Sequence, residues 1–270
     1  MRKFLFPCMM LLAVCANAAG NSEITIPEGY GRIVFQDEFD AEGMPDKSKW
    51  GYEHGYLRNG ELQYYTVERK ENAYIKDGNL HIVALNDSAV VDGEVRPVTS
   101  ASLTTQGKHS WRYCYVEVRA KLPVCLGSWP AIWMMPEKSI YGNWPRSGEI
   151  DIMEHVGYAP ENVHYAAHSE KYNHRKGVQK NSAVPCENVS GEYHVYAFEW
   201  KENSLTWILD GKPMFTLEKE AGADWESWPF DRNFYLILNF AFGGGWGGQQ
   251  GVDRSQLPQE YLIDYVRIFQ

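Results

Sequence analysis

Three acids fall within six residues in the run Glu149-Ile150-Asp151-Ile152-Met153-Glu154, and the residues between them are all apolar. Side chains on a strand alternate between faces, so Glu149 and Asp151 share one face while Ile150 and Ile152 point behind them. Glu154 has the wrong parity for that face. A regular strand would bury its carboxylate without a partner, which is costly, whereas a β-bulge at Ile152-Met153 re-phases the strand and returns Glu154 to the side of Glu149. Acids crowded in this way repel, and one of them keeps its proton at neutral pH. One ionised and one protonated carboxyl, about 5–5.5 Å apart, is the pair that cleaves a glycosidic bond with retention. Asp151, lying between the two glutamates, is placed to hydrogen-bond Glu149 and tune its ionisation. A calcium loop and a solvated acidic face are the rival readings, although a calcium loop would carry Gly and Asn between its acids rather than Ile and Met.

The neighbouring residues favour a sugar site. Ser128-Trp129-Pro130-Ala131-Ile132-Trp133 precedes the acids, and Trp144-Pro145-Arg146-Ser147-Gly148 leads directly into Glu149. The chain holds 10 Trp and 17 Tyr, whose flat apolar faces and polar edges suit stacking on sugar rings. A Trp-rich core would give the same composition.

Strands must position these groups. Segments 31–35, 79–84, 113–122, 193–200, 205–209, 234–242 and 261–269 alternate with period two and end at Gly, Asn, Asp or Pro. Asp210-Gly211 between two such runs predicts a hairpin. Helical periodicity is scarce, with a turn or two expected around Leu217 to Ala223. The pattern predicts an all-β protein, a two-sheet antiparallel sandwich of the jelly-roll kind. In the 113–122 segment, Tyr115, Glu117, Arg119 and Lys121 share one face and Cys114, Val116, Val118 and Ala120 the other. That alternation leaves a solvated outer surface and the floor of a polar cleft equally open.

Residues 1–20 have the pattern of an export signal, with Arg2 and Lys3, the apolar run Phe4 to Val14, and Ala16-Asn17-Ala18 at a cleavage position. About ten apolar residues fall short of the roughly twenty that span a bilayer, and no later stretch reaches that length. Export to the periplasm or the medium is expected, with a lipid anchor through Cys15 as the alternative. Residues 21–270 read as a single domain without a linker, and a monomer is expected. This part holds 24 basic and 35 acidic residues, a net of −11, which argues against nucleic acid or an anionic membrane as partner. Its three cysteines, Cys114, Cys125 and Cys186, allow at most one disulfide.

The sequence resembles glycoside hydrolase family 16, in its laminarinase-like branch. The resemblance rests on Phe35 to Phe39, Arg58-Asn59-Gly60-Glu61-Leu62-Gln63-Tyr64-Tyr65, Val118 to Pro123, Trp129 to Trp133, Gly148 to Glu154, His168, Gly243 to Gly248 and Ile263 to Arg267. It implies a curved jelly-roll with an open concave cleft and endo-acting, retaining hydrolysis of β-1,3- and mixed β-1,3/1,4-glucans such as laminarin and barley β-glucan. Position by position, Glu149 would be the nucleophile, Glu154 the acid/base and Asp151 their helper. Asn59, Glu117, Arg119, Trp129, Trp133, Trp144, His168 and Trp246 would lie in or beside the cleft. No cofactor is implied for catalysis, but a structural calcium ion is implied at Gly78 and Asp264. A non-catalytic glucan-binding module and a relative acting on a galactan such as agarose are the alternatives. The residue count between Asp151 and Glu154 points away from the plain lichenase pattern, and the acidic balance favours a neutral glucan.

Overall fold

Two sheets, antiparallel except where Tyr64–Tyr65 runs parallel to Val98–Ser100, take up the alternating segments in the computed structural model, which describes residues 24–270. The export segment and Cys15 lie outside the described residues. One sheet has seven strands in the order Lys180–Pro185, Asn162–His168, Glu149–Glu154, Ser128–Pro136, Phe234–Phe242, Ser102–Thr104 and Gly51–Tyr52. The other has ten, with Tyr115–Lys121 and Gln259–Phe269 at its centre and His194–Trp200, Ser204–Leu209 and Lys212–Glu218 to one side. Alternation places the strands well. Phe234–Phe242 has the expected bounds, and Tyr115–Lys121 and His194–Trp200 start or end within two residues of them. Among the described residues, no helix is long and apolar enough to cross a membrane.

The Asp210-Gly211 hairpin joins Ser204–Leu209 to Lys212–Glu218, and both turn residues take positive φ, 48° and 75°, as a type I′ turn requires. The helical turn expected at Leu217 to Ala223 does not form. Leu217 pairs with Leu205 in the ladder, so cross-strand pairing overrides local propensity, and only a tight turn follows, closed from Ala223 N–H to the Glu220 carbonyl. Cys114, Cys125 and Cys186 are buried free thiols, small apolar parts of the core.

Apolar faces of both sheets meet in one core. Val116, Val118 and Ala120 from the ten-stranded sheet pack in it with Ile150, Ile152 and Met153, all nearly inaccessible. The bulge lies where the parity argument requires it. Asp151 pairs with Ala166 and Glu154 with His164, so three steps on one strand match two on the next. On the other side Met153 pairs with Ile132 and Asp151 with Trp133, two steps against one. Ile152 and Met153 both turn inward at 1 % and 0 % exposure, and Glu154 returns to the opposite face.

Trp207, on Ser204–Leu209, reaches across the core and donates its Nε1–H to the Asp151 carbonyl at 2.7 Å. This bond satisfies a buried acceptor beside the bulge, where the ladder is interrupted. Trp207→Phe keeps most of the packing and leaves that carbonyl unpaired, so it should lower stability by about 1–3 kcal/mol. A urea midpoint unchanged from the parent protein would contradict this.

Candidate active site

A cleft of about 760 Å³ crosses the seven-stranded sheet. Its lining runs from Asn181 on an edge strand, over His164 and His168 and the three acids, to Trp129, Trp133 and Asn239, and ends at Arg58, Asn59 and Glu61. Of the residues the sequence places here, Asn59, Trp129, Trp133, Trp144, Glu149, Asp151, Glu154, His168 and Trp246 all line it.

Glu117 and Arg119 do not. They lie on the ten-stranded sheet, turned away from the core, where Tyr265 donates its hydroxyl to Glu117 at 2.7 Å and Arg119 Nη1 donates to Asp264 Oδ2 at 2.5 Å. Their alternation is that of an outer surface, the first of the two readings it allowed. The same pair bears on calcium. Gly78 sits at a hairpin tip with φ 73°, offering a carbonyl, and Asp264 faces a guanidinium. Calcium takes six to eight oxygens, and among the described residues no group of three or more acid, His or Cys ligands gathers there. Gly78 and Asp264 supply one carbonyl and one carboxylate, so a calcium ion there would draw the rest of its shell from backbone and water.

The walls hold their aromatic groups by hydrogen bonds. Trp133 donates Nε1–H to Asn239 Oδ1 at 2.7 Å, and Asn239 donates in turn to the Tyr65 hydroxyl at 2.9 Å. Arg58, ion-paired with Glu53, lies 4.7 Å above the Trp133 ring. Trp129 donates Nε1–H to Glu154 Oε1 at 3.0 Å and meets Trp246 edge-on at 5.5 Å. Gly243 and Gly244, both at φ 75°, bring the Trp246 segment down onto Asn59, whose carbonyl accepts from Gly245 N–H at 2.8 Å. Arg58, Glu61, His164, His174, Arg175, Asn181 and Asn239 also line the cleft and were not singled out from the sequence. Arg58 and Glu61 were legible beside Asn59 in one motif, and Asn239 had strand parity. Strand pairing brings in His164 and Asn181, and the 3-10 turn His174–Lys176 between their strands brings in His174 and Arg175.

Burial raises all three acids. Glu149 is pushed up to about 8, first by desolvation and then by the Asp151 charge, with His168, Trp144 and Arg58 pulling back. Asp151 is pushed up to about 7 by desolvation, opposed by a hydrogen bond with Glu149. Glu154 is raised well above the usual range, by desolvation and then by Asp151, against the Trp129 hydrogen bond. Glu149 keeps 17 % of its side chain open to the cleft, so cleft water offsets part of its burial, while Asp151 keeps 4 %. Such a trio does not carry three charges at neutral pH. It can therefore supply a proton donor and an anion side by side.

A carboxyl with a raised folded value disfavours folding in its charged form. Stability from Glu149 is intact below its ordinary value of 4.5 and is lost as pH rises through about 8. Glu149→Gln should therefore melt above the parent protein at pH 8, by roughly 2–4 °C per kcal/mol recovered. The difference should vanish below pH 4.5. Melting curves that coincide at every pH would refute the strain.

The model of glycosyl hydrolases family 16 matches residues 36–267. A beta-glucanase of Rhodothermus marinus is 46 % identical over 246 residues, covering 88 % of this chain and 84 % of that protein. A glucan endo-1,3-beta-glucosidase of Cryptopygus antarcticus is 35 % identical over 287 residues, covering 99 % and 98 %. The X-ray structure of the Rhodothermus marinus laminarinase superposes with a TM-score of 0.84 at 44 % identity, over 88 % of this chain and 96 % of that one. With the acids, the cleft and the sandwich in agreement, the chain belongs to glycosyl hydrolase family 16 and is a glycoside hydrolase.

Proposed function

We propose that the protein cleaves internal bonds of β-1,3- and mixed β-1,3/1,4-glucans with retention, with Glu149 as nucleophile and Glu154 as acid/base. The observation that carries this is the bulge, which sets both glutamates on one face of a Trp-lined cleft. The activities named for the Rhodothermus and Cryptopygus relatives support the glucan. Export, expected from the pattern of residues 1–20, would suit a polymer too large to enter a cell.

In the first step Glu149 attacks the anomeric carbon as Glu154 gives its proton to the glycosidic oxygen, and the leaving chain departs with that proton. The glycosyl ester on Glu149 is neutral. One of the charges raising Glu154 has then gone, so its affinity for a proton falls. That suits the second step, in which Glu154 takes a proton from water and the resulting hydroxide opens the ester, restoring the Glu149 carboxylate. Asp151, between the two, raises the proton affinity of both glutamates through its charge. The Trp129 bond to Glu154 couples the sugar-stacking wall to the proton donor.

Reducing ends and mid-length oligosaccharides should appear from laminarin and barley β-glucan but not from agarose. Release from agarose alone would overturn the glucan assignment. Glu154→Gln should lower kcat by about 10²- to 10⁴-fold on these polymers. It should spare substrates with a good leaving group, such as aryl glycosides, more than the polymers. Equal losses on both would remove Glu154 from the acid role.

A further inference from the structure

We propose that Glu149, Asp151 and His168 form a seat for one borderline divalent cation of the Zn²⁺ or Cu²⁺ class, and that the cation holds the enzyme reversibly inactive. The seat itself stands on geometry, and its inhibitory effect rests on the catalytic assignment of Glu149.

The three residues lie on two adjacent strands, with Glu149 and His168 directly paired in the ladder. One ligand atom from each falls within 4.8 Å of the others. His168 Nε2 is 3.2 Å from Asp151 Oδ2 and 3.9 Å from Glu149 Oε1. A tetrahedral zinc with bonds of 2.0–2.1 Å spaces its ligands about 3.3 Å apart, so the first separation already fits, and the second needs only a turn of the flexible Glu149 side chain.

A second observation comes from satisfaction. Asp151 is 3 % exposed, and its Oδ2 has no hydrogen-bond partner. His168 Nε2 is close enough to serve, yet it is not aligned on that oxygen. A buried, unpartnered carboxylate oxygen beside an unaligned ring nitrogen is a poor hydrogen bond and a good pair of metal ligands. A cation there also offsets the mutual repulsion of the acids. All three residues line the cleft, which leaves the remaining coordination position to water.

The donor set selects the metal. Imidazole with carboxylate suits zinc and copper, whereas Ca²⁺ and Mg²⁺ want a shell of oxygens. Among the described residues three other histidines have a carboxylate neighbour, His54–Asp92, His81–Glu260 and His194–Asp210, but each has a single one.

Calorimetric titration of the untagged protein with Zn²⁺ should give one site per chain. His168→Gln keeps a polar side chain of similar reach but lacks the ring nitrogen, and it should weaken binding by about tenfold or more. Added laminarin oligosaccharide should compete with Zn²⁺, and Ca²⁺ and Mg²⁺ should do nothing. In the parent protein Co²⁺ should give the visible bands of a four-coordinate site, displaced by Zn²⁺, a readout that holds whether or not the variant folds. Zn²⁺ binding that is equal in parent and variant, or Co²⁺ that stays six-coordinate, would overturn the seat. Competition in the calorimeter with hydrolysis unaffected at saturating Zn²⁺ would leave the seat standing and remove Glu149 from the reaction.

Discussion

One extra residue in the strand Glu149–Glu154 governs the site. Without the bulge at Ile152-Met153, either Glu154 enters the core or Met153 enters the cleft. With it, three apolar side chains face inward and three acids face the substrate side. A bulge breaks the ladder and must be held in place by other contacts. Here the opposite sheet does so through Trp207, so the two sheets are joined at the point where the chemistry is set.

The same placement has an energetic cost that the rest of the fold absorbs. Desolvation raises each acid, the Asp151 charge raises both glutamates further, and Glu149 adds to Glu154. A core spanning both sheets, with Trp50, Trp200 and Trp207 fully enclosed, supplies the apolar burial against which that strain is held. Removing the strain would make a more stable protein and a poorer catalyst, the trade between stability and activity that strained sites carry.

Much of this was legible in the sequence, for reasons that also mark where it stopped. Strand periodicity is local, so Phe234–Phe242 and the parity failure at Glu154 could be read directly. Periodicity says that Glu117 and Arg119 share a face, but not which sheet carries the cleft, and the family pattern put them on the wrong side. His164 was missed because its place opposite Glu154 is a matter of register between strands. Asn239 was missed because its role is to fix Trp133, a contact across more than a hundred residues of chain. The turn near Leu217 was misjudged because ladder pairing, a tertiary effect, won over local propensity.

The cleft is lined from the edge strand at Asn181 to the segment at Asn59, and it crosses the strands of the sheet rather than running along them. Its acids lie partway along that path, so the groove can grip a polymer at its middle with chain continuing on both sides. Each early cut then shortens the mean chain steeply. A glucan solution should thin long before much soluble sugar has accumulated, and the enzyme's first effect on a gel or cell-wall matrix should be mechanical.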